Sequence, residues 1–326
     1  LPRKFKISFS CSPDDYSMAK FNDLGFIAKI ADGKRGFEVH AGGGMGRESC
    51  PGIKIFDFVG AEDTFRIAVA AVNMFHEIGN RNDRSKARLR FVLLEKGEEF
   101  FRDQFSKHLV LASGLPSFDL RFENRSAGKA LERLFIPNGN LTVDKLAKIA
   151  DAAERSGAEF LRFSQEQDIF AGPFAPTRAA EFIGALPEFS GSRIVGLVKS
   201  CVGSKVCKIG LLDASSHARE VSLKIDEMIT KLPERERKGL VELVSGMIKI
   251  SGCPNSCGLN RAAKFGFQGM RRNAGGKMRD YYLFQANASR CAGVMSENSG
   301  IEIPSEELPD FISELIEKEI KNRTLK

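Results

Sequence analysis

Apolar and cationic residues alternate over 3–10 (Arg-Lys-Phe-Lys-Ile-Ser-Phe-Ser), a period of two that predicts a strand. Residues 24–31 and 36–41 read as a hairpin around Asp32-Gly33-Lys34. The period then lengthens. Phe65, Ile67, Val69, Val72, Met74 and Phe75 predict a helix over 63–78, and 84–95 and 97–109 read as two more.

A more polar stretch near 110–130 reads as a boundary. Beyond it, Asn138-Gly139-Asn140 marks a turn. Thr142 can cap a helix with Val143, Leu146, Ile149 and Ala153 on its apolar face. Strand-like 158–163 and 168–171 follow, and Pro173 and Pro176 lead into a short helix, giving a small α/β module. From 193 the pattern reads strand (193–199), cysteine turn, helix (215–231), strand (246–250), second cysteine turn, hairpin (264–287) and final helix (305–321).

Two stretches echo each other. Gly25-Phe26, Gly33-Lys34 and Phe37-Glu38-Val39 resemble Gly266-Phe267, Gly276-Lys277 and Tyr282-Leu283-Phe284, and each hairpin precedes an amphipathic helix. A degenerate internal duplication is expected, with two related halves about a pseudo-twofold axis.

Composition adds limits. The chain has 326 residues, 42% of them hydrophobic, enough for two or three packed domains. No apolar run approaches the ~18–20 residues of a membrane span, so no membrane role is expected. No signal peptide is visible. Leu1 sits directly before a strand-like run, so the native start is expected upstream. Seven cysteines in so long a chain do not resemble a secreted disulfide scaffold, and a reducing cytoplasm is expected. The net charge of +7 is dispersed, which argues against nucleic acid. It suits either steering of an acidic protein partner or simple solubility.

The chemistry concentrates in four cysteines. Cys201 and Cys207 lie in Ser-Cys-Val-Gly-Ser-Lys-Val-Cys, and Cys253 and Cys257 in Ser-Gly-Cys-Pro-Asn-Ser-Cys-Gly. Each pair follows an apolar strand-like run, and Gly203, Gly252 and Pro254 suit tight turns there. Four thiolates brought together on such turns can hold an iron–sulfur cluster, with backbone N–H groups donating to sulfur. Structural zinc favours shorter spacing than the first pair has. Buried structural cysteines remain a third reading. Cys11, Cys50 and Cys291 show no ligand spacing and read as structural. His40, His76, His108 and His217 are scattered and form no metal motif.

Ser-Gly-Cys-Pro-Asn-Ser-Cys-Gly with an upstream C-x5-C resembles the signature of the sirohaem and [4Fe–4S] assimilatory sulfite and nitrite reductases. Leu-Pro-Arg-Lys-Phe-Lys, Gly42-Gly43-Gly44 and Gly79-Asn80-Arg81-Asn82-Asp83-Arg84-Ser85-Lys86-Ala87-Arg88 fit the same family, in the same order. The resemblance implies an α+β fold of mixed and antiparallel sheets with packed helices. A central ferredoxin-like module would lie between two duplicated catalytic-type domains. The corresponding divisions are 1–115 (remainder of the first catalytic-type domain), 116–190 (ferredoxin-like half-domain) and 191–326 (cluster- and sirohaem-binding domain).

The implied activity is six-electron reduction of sulfite to sulfide or of nitrite to ammonia. The electrons would come from an acidic donor such as ferredoxin or a reductase subunit. Cys201, Cys207, Cys253 and Cys257 would ligate the cluster, and Cys257 would also bind the sirohaem iron. Lys4 and Lys6 would bind the anion and help deliver protons; as i, i+2 residues of a strand they share a face. Arg3, Arg81 and Arg88 would meet sirohaem carboxylates, for which guanidinium is well suited. Asn255, beside the shared cysteine, would hydrogen-bond to the cofactor. Without that resemblance, Lys4 and Lys6 read as a solvated strand face, Arg81, Arg84 and Arg88 as a solvated helix face, and Gly42–Gly46 as a turn or a close approach to a flat cofactor.

The chain departs from the family pattern in two places. Lys264 stands where the family has an acidic residue, before Phe265-Gly266-Phe267. The chain is also shorter than family members and reads as starting inside the first catalytic domain. The alternative function is therefore a truncated or divergent iron–sulfur electron-transfer or scaffold protein. Pro-Asn-Ser-Cys leans towards nitrite reductases and Gly-Asn-Arg-Asn-Asp-Arg towards sulfite reductases, leaving the anion open.

Overall fold

A computed structural model describes residues 2, 4–117, 130–189, 197–233, 244 and 246–324. The described residues form two compact units, 2–117 with 288–295 and 130–287 with 296–324. No helix among them is long and apolar enough to cross a membrane.

The first unit is built on a four-stranded sheet of β1 (Ile7–Ser10), β2 (Leu24–Ala31), β3 (Lys34–Ala41) and β4 (Ile53–Gly60), in that spatial order. β1 runs parallel to β2, and the other pairs are antiparallel. Asp32 and Gly33 join β2 to β3 at φ 50° and 74°, the two positive values that a two-residue hairpin turn requires. Helices α1 (Thr64–Ile78), α2 (Leu89–Lys96) and α3 (Glu98–Leu111) close the core. Leu24, Phe26 and Val39 of the sheet pack with Ile67, Met74 and Phe75 of α1 and with Phe101 and Phe105 of α3.

Three sequence expectations change here. The first strand starts at Ile7, not at residue 3. The helix expected over 84–95 starts only at Leu89. Side chains compete for the backbone before it: Asn80 Oδ1 accepts from the N–H groups of Asn82 and Asp83, and Asp83 Oδ1 accepts from that of Ser85. β4, with its Ile-Lys-Ile-Phe-Asp-Phe run, was not anticipated.

The second unit opens with β5 (Ala130–Leu134), α4 (Val143–Arg155), β6 (Phe160–Phe163), β7 (Ile169–Phe174) and α5 (Pro176–Ala185), with sheet order β5-β7-β6. Thr142 caps α4 as expected, its hydroxyl accepting from the Lys145 N–H. The buried stripe of α4 is Ile149, Ala152 and Ala153, while Val143 is 84% exposed, so the helix packs through its later turns.

A five-stranded sheet follows, made of β8 (Lys199–Ser200), β9 (Ile248–Ser251), β10 (Phe265–Ala274), β11 (Lys277–Ala286) and β12 (Glu297–Pro304) in the order β12-β11-β10-β9-β8. Helices α6 (Ala214–Thr230) and α7 (Leu308–Thr324) pack on it through Val221, Ile225, Ile312 and Ile316. The strand expected over 193–199 lies partly outside the described residues; within them β8 is two residues long. β12 escaped the hydrophobic pattern because, among its residues, only Ile303 is buried.

The duplication is visible in the backbone. β1 to β4 followed by α1 has the same order and pairing sense as β9 to β12 followed by α7. Positive φ recurs at matching places, Asp15 (52°) with Ser256 (54°) and Met18 (58°) with Leu259 (62°). A Cβ on Gly25 would fall 2.1 Å from the Ala19 carbonyl oxygen, and one on Gly266 would fall 2.1 Å from that of Asn260. The match aligns Ser12 with Cys253 and Tyr16 with Cys257. The first unit therefore keeps the shape of the cysteine turn without its thiols.

Candidate functional site

The two cysteine segments leave neighbouring parallel strands. β8 and β9 pair Lys199 with Lys249 and Ser200 with Ile250, so both chains emerge at the same end of the sheet. The Cys201 N–H still bonds the Ile250 carbonyl at 3.1 Å. Cys253 follows β9 by two residues.

Backbone bonds then tie the loops together. The N–H groups of Leu211 and Leu212 both donate to the Gly252 carbonyl, at 3.2 and 3.0 Å. The Ser204 N–H donates to Leu212 at 2.9 Å, and the Cys207 N–H closes a turn on Gly203 at 2.8 Å. Gly252 is the pinch point, since a Cβ there would lie 2.5 Å from the Leu212 oxygen. In return, the Gly252 N–H donates to Cys201 Sγ at 3.2 Å.

All seven cysteines are free thiols. In the quartet, Cys253 is buried, Cys201 and Cys207 are half-buried and Cys257 is exposed. Ser256, at φ 54°, turns the chain between the second pair, and its buried hydroxyl has no hydrogen-bond partner among the described residues. Asn255 is half-buried, and its carbonyl lies 3.9 Å from Cys257 Sγ. Among the described residues, no three His, Cys, Asp or Glu side chains gather around a point suited to one ion. A cubane cluster makes no such demand, because each of its irons takes one thiolate. What the structure offers such a cluster is two cysteine-bearing turns tied together at one end of the sheet, with the Gly252 N–H already donating to Cys201 Sγ.

The remaining sequence-predicted residues lie in the first unit, apart from Arg3, which falls outside the described residues. Lys4 and Lys6 are exposed, and Phe5 between them packs on the core, as the i, i+2 spacing requires. The Lys6 N–H donates to Asp23 Oδ2 at 2.9 Å. Arg81 is exposed; it hydrogen-bonds His76 and lies over the Phe75 ring. Arg88 is buried, with Nε and one terminal nitrogen on the two oxygens of Asp23.

Sequence reasoning missed Asp23 and Arg90. Arg90 is also buried. It donates to the Met45 carbonyl at 2.8 Å, and its Nε has no partner among the described residues. Burial and the neighbouring Arg88 hold its pKa below the usual arginine value. The glycine run explains the fit, for a Cβ on Gly44 would meet the Arg90 side chain at 2.9 Å. The close approach of Gly44 and Gly46 is thus to Arg90, while Gly42 faces Leu93 and Phe101 and Gly43 faces neighbouring backbone; the alternation Arg88-Leu89-Arg90 was the available signal.

Residues 1–111 match the nitrite and sulphite reductase 4Fe-4S domain family, and residues 128–173 match the nitrite/sulfite reductase ferredoxin-like half domain. The cysteine quartet lies outside both segments. The chain is 29% identical to ferredoxin–nitrite reductase of Synechococcus elongatus, over 97% of this chain and 63% of that protein. It is 27% identical to the sulfite reductase [NADPH] hemoprotein beta-component of Oceanobacillus iheyensis, over 93% of this chain and 55% of that protein. The chain thus spans less than two thirds of these curated relatives. The solved structure of Mycobacterium tuberculosis NirA superposes with a TM-score of 0.80 at 20% identity, covering 98% of this chain and 61% of that one, a likeness of fold. Two successive domain matches, with relatives of both kinds across nearly the whole sequence, match the chain to the nitrite and sulfite reductase family, whose cofactors are a [4Fe–4S] cluster and sirohaem.

Proposed function

We propose that this chain carries the cluster- and sirohaem-binding part of a cytoplasmic reductase acting on nitrite or sulfite, with an acidic donor protein such as ferredoxin or a reductase subunit. The observation that carries this reading is the meeting of the two cysteine segments at the ends of β8 and β9, joined by the Gly252 N–H on Cys201 Sγ. Cys201, Cys207, Cys253 and Cys257 would hold the cluster, and Cys257 would also bind the sirohaem iron. When bound, these groups would relay, in successive one-electron steps from the donor protein, the six electrons that take nitrite to ammonia or sulfite to sulfide.

The chain's own residues supply charge and position. Lys4 and Lys6 offer two ammonium groups on one side of an extended segment, suited to a small oxyanion and to donating protons to it. Asp23 fixes the backbone between them and β1 by accepting the Lys6 N–H, and Arg88 fixes Asp23. With those two nitrogens on Asp23, Arg88 acts here as a positioning residue for Lys6. Arg81, exposed three residues beyond α1, and Asn255, beside Cys257, are the groups proposed to meet the tetrapyrrole's polar edge.

Iron, acid-labile sulfide and absorption spectra of the anaerobically reconstituted protein test the reading, followed by methyl-viologen-driven reduction of each anion. Four iron per chain, tetrapyrrole bands and reduction of at least one anion are expected. Four iron without tetrapyrrole would support an electron-transfer module instead, and no iron would defeat the assignment of the cysteines.

A further inference from the structure

Behind the cysteines lies a buried ionic network that no part of the proposed chemistry uses. Lys199 and Lys249 are register partners on β8 and β9, 4% and 2% exposed. Each meets a carboxylate from the loop between β6 and β7. Lys199 Nζ lies 2.5 Å from Asp168 Oδ1, and Lys249 Nζ lies 2.7 Å from Glu166 Oε1. Asp168 is held further by Arg133 at 2.7 Å and by the Ile136 N–H at 2.9 Å. Between the two acids, Gln167 donates from Nε2 to the Ser200 carbonyl at 2.8 Å. Three consecutive residues of the small module therefore grip the two strands that end in cysteine.

Side chains two apart on a strand share a face. The face that carries Lys199 and Lys249 thus continues into Cys201 and Ser251, about 7 Å further along the strands. Ser251 Oγ accepts the Gly258 N–H just beyond Cys257, at 2.9 Å, so this face also anchors the second cysteine turn. Charges this close, and shielded from water, act on a neighbouring ion far more strongly than surface charges do.

We propose that Glu166, Gln167 and Asp168 are positioning residues for the cysteine site, and that the paired charges of Lys199 and Lys249 tune the reduction of the cluster it holds. This rests on the cluster assignment made above. Taking up one electron makes the cluster more negative. A nearby ammonium favours that step and a nearby carboxylate opposes it, so removing one partner of a pair moves the potential in a direction set by which partner is lost.

The test uses Glu166→Gln, Lys249→Met and the double variant, each reconstituted with iron and sulfide. The midpoint potential is read from the electron-spin signal during dithionite titration. Glu166→Gln is expected to raise the potential, Lys249→Met to lower it, and the double variant to return close to the unsubstituted value. A purely structural role would move both single variants the same way or not at all, and either result overturns the proposal. Should a single variant lose its iron because the buried ion pair is broken, the double variant decides. Recovery of four iron with a near-native potential supports the proposal, and continued loss overturns it. Absence of iron from the unsubstituted protein would instead sink the cluster assignment, and this inference with it.

Discussion

Arg88 donates to both oxygens of Asp23, at 3.1 and 2.7 Å, across 65 residues of sequence and at no more than 4% exposure. Asp23 also takes the Lys6 N–H, so one carboxylate joins α2's entry to the segment carrying both exposed lysines. Removing one partner leaves a buried charge alone, which typically costs about 3–5 kcal/mol. Asp23→Asn is expected to lower unfolding free energy in urea by that order. Arg102→Ala breaks the exposed pair with Glu98 and should cost less than about 0.5 kcal/mol. Equal effects would show that the Asp23 pair is not what holds this region.

The exposed lysines should behave oppositely. Lys4→Ala and Lys6→Ala remove side chains that lie outside the core, so the melting temperature should hardly change. In the reconstituted reductase, each loses one charge-assisted contact to the anion, worth about 1.5–3 kcal/mol. kcat/KM for the reduced anion should therefore fall about tenfold to a hundredfold in steady-state assays. Full activity in both variants would remove them from the anion site.

Gly252 gives a test of the cysteine geometry that leaves every thiol in place. Alanine there would put a Cβ 2.5 Å from the Leu212 oxygen, pushing apart the two loops that Leu211 and Leu212 hold together. Gly252→Ala is expected to lose more than half of the bound iron. Gly184→Ala, in α5 with nothing within 4 Å of its Cβ, should keep it and gain up to about 0.5–1 kcal/mol in stability. Unchanged iron in Gly252→Ala would mean that this pinch does not shape the site.

What was legible in the sequence was local. The Asp32-Gly33 hairpin, the Thr142 cap and the two cysteine turns each depend on residues within a few positions of one another, so short patterns reveal them. The repeat was legible through Gly25 and Gly266, because both face a carbonyl oxygen too close for any side chain. The ion pairs were not. Asp23–Arg88, Asp168–Lys199 and Glu166–Lys249 join residues far apart in sequence, and each charged residue alone reads as surface. Arg88 illustrates this: its place in an Arg-rich segment suggested a cofactor partner, and nothing local announced the Asp23 carboxylate, just before β2, that it also meets. β12 and the first turns of α4 escaped or misled the pattern because exposure, not periodicity, governs those residues.

Cys50 makes the last prediction, and it separates a buried thiol from the exposed ones. Its Sγ lies 3.5 Å from the Gly42 carbonyl, and its residue bridges Gly44 in both directions. Burial pushes its pKa up from 9.0 to about 11, against the opposing pull of Arg90 and Arg88. Between those values the unfolded chain gives up the proton and the folded chain keeps it. Folding therefore loses stability as pH rises from about 9 to about 11, by roughly 2–3 kcal/mol from this group. Comparison with Cys50→Ala isolates that share, because the variant should show a shallower decline over the same window. At pH 8, iodoacetamide should label Cys11 and Cys291, which are exposed, and reach Cys50 only after denaturation. Mass spectrometry of the peptides reads this directly, and labelling of Cys50 at the rate of Cys291 in the folded protein would show that the thiol is neither buried nor held protonated.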